Sequence, residues 1–326
     1  MATVIPSTTI TDNVRLSHLA ALDVKGADAE KFLQGQTSAQ VSLADGEFAP
    51  LTCFCTPKGR MLANGQLLRL NAEHFRLILS TSLVASLAAH LKKFAAFYRA
   101  ELVHDTGVTF IGASDGASSL ATFLDVALPE KPFAQSVNNL TNVIRVPGEM
   151  PRWLFCVPDV SSLSDASSLG VVDDEAQNAA WQLEDIRSGI AWLTEAQQDR
   201  FLPQMLNWEA LGGVSFKKGC YTGQEVVARA HFRGQVKKRL VHAELKAAVL
   251  PDVGASINNA SDKAMGEVVI SVRKDNDSVE LLAVMNTKAI EEAMPLYWEG
   301  NTVTLLPLPY PIERLDPEHQ AAAIKS

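Results

Sequence analysis

The chain has 326 residues, 47% of them hydrophobic and 20% charged, and a formal net charge of −8. That length carries two or three domains with ample material for a core. The acid excess excludes a protein that grips bulk nucleic acid through an overall basic footprint, leaving room only for a local basic patch.

Residues 14–24 alternate partially and predict one or two strands. Asp28 is a candidate N-cap for a short helix over Ala29–Gln34, which Gly35 ends. Residues 48–56 predict a strand, Pro57–Arg60 a turn in which Pro presets φ and Gly accepts positive φ, and residues 61–70 and 75–80 two more strands joined as antiparallel hairpins. Ser82 to Phe97 carries Leu83, Leu87, Leu91 and Phe94 at helical spacing. Strands follow over 107–112, 141–147 and 152–157, with a helix over 114–124. Ser161–Gly170 is Ser-rich and predicts a loop or weak helix. Gln177–Ile190 predicts a helix ending near Gly189, and Pro203 argues against a continuous helix over 191–206. Past Gly234 the pattern changes to short strands at 237–247, 265–273, 278–285 and 302–306, as in a small barrel of about six strands. The Leu306–Tyr310 stretch is extended by its prolines, and Glu313–Ser326 predicts a frayed polar tail. Strands and helices are mixed without regular βα alternation, so the fold class is α+β.

Four cysteines in a chain this long make no disulfide framework, and no Cys-x-x-Cys or Cys/His cluster points to a metal site. Cys53 and Cys55 fall on one face of a strand and read as two small buried residues. No stretch approaches the about 18 apolar residues of a membrane span, and Met1–Thr11 lacks the regions of a signal peptide. A reducing, cytoplasmic setting is the expectation.

The stretch Phe216–Glu225 places Cys220 after Lys217, Lys218 and Gly219 and before Thr222-Gly223-Gln224-Glu225. A Thr-x-x-Glu capping box starts a helix, with Thr222 as N-cap. Cys220 would then stand two residues before the N-cap, where the helix start and the two lysines favour thiolate. On the residues alone, Cys220 reads either as a small residue in a tight turn or as a functional thiol. Trp181 reads either as a core tryptophan or as a ligand wall.

Lys218 to Glu225, Lys-Gly-Cys-Tyr-Thr-Gly-Gln-Glu, resembles the signature of the YgfZ proteins, folate-binding relatives of the glycine-cleavage T-protein linked to iron–sulfur cluster maintenance and tRNA modification. Gly26-Ala27-Asp28, Gln34-Gly35-Gln36, Lys58-Gly59-Arg60, Leu211-Gly212-Gly213 and Pro307-Leu308-Pro309-Tyr310 resemble that family in the same order. The resemblance implies a T-protein-like body of two α+β lobes (residues 14–110 plus 175–234, and 111–174, within 1–234), a C-terminal barrel at 235–315 and a tail at 316–326, ringing a central channel. It implies tetrahydrofolate or a one-carbon derivative as cofactor. The family positions tied to folate correspond to Leu19 and Trp181, and Leu19 departs from an aromatic found there in a relative. Gln197, Arg200 and Gln204 are candidate polar contacts, and Lys218, Tyr221, Gln224 and Glu225 are candidate supports for the Cys220 thiol.

Three functions follow: an accessory factor for iron–sulfur enzymes such as a tRNA methylthiotransferase, an aminomethyltransferase, or a non-catalytic folate and thiol module. The T-protein reaction needs a carboxylate in the strand after the Gly59 turn. Here that strand reads Gly-Arg-Met-Leu-Ala-Asn-Gly-Gln, with Ala63 and Asn64 where the acid is expected. An amide cannot serve as the base. The acid balance also favours an indirect effect on tRNA over direct binding.

Overall fold

The computed structural model describes residue 10 and residues 13–138, 141–158, 170–234 and 236–326. The Ser-rich stretch expected as a loop or weak helix lies, but for Gly170, outside the described residues.

The chain begins with β1 (Asn13–Arg15), β2 (Leu19–Lys25) and α1 (Ala29–Gln34), then β3 (Leu51–Cys55), β4 (Met61–Asn71), β5 (His74–Ser80), α2 (Val84–Ala95) and β6 (Glu101–Asp105). It continues through β7 (Val108–Ala113), α3 (Ala117–Phe123), β8 (Gln135–Asn138), β9 (Thr141–Val146), β10 (Arg152–Pro158), β11 (Val171–Val172), α4 (Glu175–Arg187) and α5 (Gln224–Phe232). The last part is β12 (Lys238–Lys246), β13 (Ser256–Asn259), β14 (Ala264–Arg273), β15 (Ser278–Asn286), α6 (Thr287–Glu291), β16 (Leu296–Trp298), β17 (Asn301–Leu306) and α7 (Pro317–Lys325). The α+β class expected from the sequence is the class observed.

Two sheets stack face to face. The first runs β3-β4-β5-β2-β6 and the second β11-β1-β7-β10-β9-β8. Period-two alternation divides their side chains between layers. Leu19, Ala21, Leu68 and Ile78 of the first sheet share one apolar cluster with Phe110, Ile144, Leu154 and Cys156 of the second. The opposite face of the first sheet, with Leu22, Val24, Leu77 and Leu79, packs on Phe32 of α1 and Leu87 and Leu91 of α2. The opposite face of the second, with Ile111, Val143 and Phe155, packs on Leu120 and Ala121 of α3. Because β1 pairs with β7 and β11, the first sheet begins at Leu19 and the second borrows residues 13–15 from the N-terminal side.

The six-strand module is a closed barrel in the order β12-β15-β14-β13-β16-β17. Val241, Ala243, Leu281, Ala283 and Val303 fill it. Leu240, Leu282 and Val284 point outward and join the main core, so the barrel is fused to the body by apolar packing.

Three local expectations are corrected. Asp28 precedes α1 without capping it; its carboxylate accepts from the backbone N–H and guanidinium of Arg99 instead. The expected Thr222 capping box does not form: α5 starts at Gln224 after Gly223, which sits at φ 84°. The expected frayed tail is α7, whose Pro317 and Ala321 are buried and whose Lys325 pairs with Asp45.

Candidate functional site

The motif turn is held by a lysine facing inward. Lys218 Nζ donates to the carbonyls of Gln34 (2.8 Å), Thr37 and Ala39 (2.9 Å). Burial pushes this ammonium down to about 7. The three carbonyls act in the other direction, because only –NH3+ offers three N–H donors to match them. The loop that supplies these carbonyls also anchors the chain before the motif, since Ser38 Oγ donates to Gly213 O at 2.6 Å. Tyr221 is buried beside Lys218, whose Nζ lies 5.0 Å from the ring centroid. Burial pushes the Tyr221 phenol up.

Gly223 lies over β3. A Cβ there would come within 2.4 Å of Thr56 O, so the left-handed glycine is needed for both its φ and its closeness. Beneath it the Cys53 and Cys55 sulfurs are 3.9 Å apart and buried, as expected for two small residues on one strand face. The hydrogen bond with Cys53 and burial push the Cys55 thiol well up. Cys220 is the exposed cysteine of the four. The two lysines expected to flank its thiol are engaged elsewhere: Lys218 with the carbonyl cage and Lys217 with Asp316 at 2.9 Å. Gln224 Oε1 accepts from the Tyr221 backbone N–H at 3.3 Å, and Glu225 is exposed.

Leu19 and Trp181 do meet, in the apolar cluster between the two sheets. Trp181 is 2% exposed and rests on Gly112, where an added Cβ would fall 2.5 Å from the ring. Arg152 caps it, with its guanidinium carbon 4.6 Å from the ring centroid. The same guanidinium bonds Trp181 O, Asp185 Oδ1 (2.6 Å) and, through Nε, Pro147 O (2.8 Å). Asp185 Oδ2 accepts from the Trp192 indole at 3.1 Å. His18, next to Leu19, is half-buried with both ring nitrogens out of solvent, and burial lowers its pKa. The other candidates bond elsewhere. Gln197 Nε2 donates to Val269 O of β14, Arg200 pairs with Glu267 of β14, and Gln204 Nε2 donates to Val227 O of α5. They tether the barrel and the motif helix to the body.

Behind the Arg152 knot opens a cavity of about 720 Å³ bordered by Pro147, Ser188, Phe133, Leu211, Leu308 and Tyr310. Arg187, His242 and Glu280 form its charged wall, and the exposed Glu149 also lines it. Arg187 Nη2 lies 2.9 Å from Glu280 Oε1, and His242 Nε2 lies 2.9 Å from Glu280 Oε2. Burial pushes the Glu280 carboxyl up, but hydrogen bonds from His242 and Arg187 outweigh it and hold the group at about 2. Sequence reasoning missed this trio. The available signal was Glu280 itself, one acid in the strand Val-Glu-Leu-Leu-Ala-Val, since a carboxylate in an apolar strand needs a buried partner.

Asn64 completes the picture on β4. Its amide donates to Ala191 O at 2.7 Å and accepts from Leu193 N–H at 2.9 Å, so both ends clamp the segment after α4.

No family model matches the chain. The chain is 31% identical over 310 residues to a tRNA-modifying protein YgfZ of Enterobacter sp. (strain 638), covering 92% of this chain and 93% of that protein. It is 30% identical over 304 residues to the tRNA-modifying protein YgfZ of Escherichia coli O157:H7 (strain EC4115 / EHEC), covering 91% and 93%. Among solved structures, the glycine cleavage system aminomethyltransferase T from Bartonella henselae superposes with a TM-score of 0.70 at 13% identity, covering 94% of this chain and 88% of that one, which is a likeness of fold. With fold, motif and whole-length similarity in agreement, the chain belongs to the YgfZ family.

Proposed function

We propose that this chain is a folate-binding accessory protein for tRNA modification. It supports iron–sulfur enzymes such as a tRNA methylthiotransferase and uses Cys220 as an accessible thiol. The observation that carries the folate reading is the cavity between α4, the barrel and the Pro307–Tyr310 strap. Its volume falls within the roughly 300–1,000 Å³ of small-molecule sites. Phe133 and Tyr310 offer aromatic surface for a flat pterin or aminobenzoyl ring, and Arg187, His242 and Glu280 offer donors and an acceptor for its polar edge. Tetrahydrofolate or a one-carbon derivative, a carrier of single carbons, fits this wall. Trp181 acts from behind it, because Arg152 ties the indole to Pro147 at the cavity's rim.

Aminomethyl transfer is disfavoured, because Asn64 carries no charge and both ends of its amide are committed to the backbone. Folate-dependent release of ammonia from an aminomethyl donor would reverse that reading. The four free thiols support a reducing, cytoplasmic setting. No described helix is long and apolar enough to cross a membrane.

The test is a titration of tetrahydrofolate followed by tryptophan fluorescence in the wild type, Trp181→Ala and Tyr310→Ala. Saturable quenching in the wild type that weakens in both variants is expected. An unresponsive wild type removes folate from the reading.

A further inference from the structure

Although the chain is acidic overall, cations gather on one flank of α5. Lys58, Arg229, Arg233 and Lys237 are exposed, and among the described residues none has a side-chain partner. They lie along α5. Val226 packs against the turn that carries Lys58, since a Cβ on Gly59 would fall 2.8 Å from Val226 Cβ. Arg229 and Arg233 follow Val226 by three and seven residues, on the same flank of the helix. Lys237 lines a groove bordered by Ala230 of α5 and by Gly234, whose far side carries Lys288 and Arg314 together with Glu209, Glu291 and Glu292. Glu225, at the start of the helix, is its one acid.

The same helix buries only Val227, and Phe232 near its end is 61% exposed. That ring is not loose. It sits edge-on to Phe216 (5.5 Å) and to His231 (4.7 Å), which stack on each other at 4.4 Å. An anchored aromatic ring in solvent beside unpaired cations is the combination that binds single-stranded nucleic acid, with phosphates on the cations and a base on the ring. An acidic peptide would use the cations but gain nothing specific from the ring.

We propose that this edge of α5 binds a single-stranded RNA segment, with its phosphates on Lys58, Arg229, Arg233 and Lys237 and a base stacked on Phe232. The proposal is independent of folate. It takes up the local basic patch that the acid excess left open, against the indirect effect on tRNA that the net charge favoured, because binding follows the local distribution of charge.

The test uses the full chain and a fluorescein-labelled single-stranded RNA of about a dozen nucleotides, the order of site covered by such platforms, read by anisotropy across a salt series. Circular dichroism melts confirm that each variant is folded. The R229E/R233E double variant is expected to bind at least about tenfold more weakly and to lower the salt slope by about two. F232A is expected to weaken binding with the slope unchanged. Absence of RNA binding by the wild type at low salt overturns the proposal, as does equal binding by the double variant. Polyglutamate binding as tight as RNA, with F232A inert, assigns the edge to an acidic protein and overturns it as well.

Discussion

Lys218 occupies the point where three backbone carbonyls from residues 34, 37 and 39 converge. The motif was legible as a motif, but this role was not, because the carbonyls belong to the end of α1 and the loop after it, 179 to 184 positions earlier, and carry no side-chain signature. Lys218→Met should leave those carbonyls without a donor and destabilise the fold by about 3 kcal/mol in urea titration. Lys218→Arg should not restore it, because a planar guanidinium cannot send three N–H groups to one convergent point. Wild-type stability in either variant would show that the cage contributes nothing. Cys220 makes the contrasting case. It is exposed, so Cys220→Ala should melt like the wild type yet lose support of tRNA methylthiolation in a complementation assay. Full complementation would remove the thiol from the function. Gly112 is the third informative residue. Gly112→Ala would place a methyl against the Trp181 indole, with a cost of about 1–3 kcal/mol and a shifted tryptophan emission.

The helices divide according to what their sequences could announce. α2 declared itself through Leu83, Leu87 and Leu91, all buried, because one continuous apolar stripe sets its packing. α4 was equally plain, and Asp174 caps it by accepting from Gln177 N–H at 2.8 Å. α5 was foreseen but started differently: the Gly223 backbone, pressed onto Thr56, overrides the Thr-x-x-Glu pattern. β6, β8, β13 and β16 were missed because they are short or polar strands whose partners, not their own pattern, define them. α7 was misread for a related reason. Its polar composition hides Ala321, which enters the main core, and Glu318, which accepts from Ser215. Deleting residues 317–326 should therefore cost on the order of 3 kcal/mol. A frayed tail would cost nothing. Identical melting curves for the full and shortened chains would return the segment to the tail first expected.

At the scale of the molecule, the stacked sheets and the barrel are joined by apolar contact and by charged pairs, among them the seam of Arg187, His242 and Glu280 that lines the cavity. The apolar part was legible as a change of pattern near residue 234. The seam was not, because Arg187 ends α4 while His242 and Glu280 lie on β12 and β15, and only the closed barrel brings them together. Glu280 sets its pH dependence. Its carboxyl falls from its ordinary value of 4.5 to about 2 on folding, since His242 and Arg187 outweigh its burial. A carboxylate whose folded pKa lies below its unfolded value binds fewer protons in the native state. Its stabilisation is complete above about pH 4.5 and is lost as pH falls towards about 2. Stability measured by denaturant titration should accordingly decline across that window. Glu280→Gln removes the titrating group, so the variant should be less stable by roughly 2 kcal/mol at neutral pH, with Arg187 left to Glu184 alone, and should lose less on acidification. The two curves should converge towards pH 2. Parallel curves would mean that the seam does not couple barrel to body. Because the same three side chains form the charged wall of the cavity, the seam that fastens the barrel would also fix the geometry of the ligand site. Acid that loosens one should therefore weaken ligand binding in the other over the same pH range.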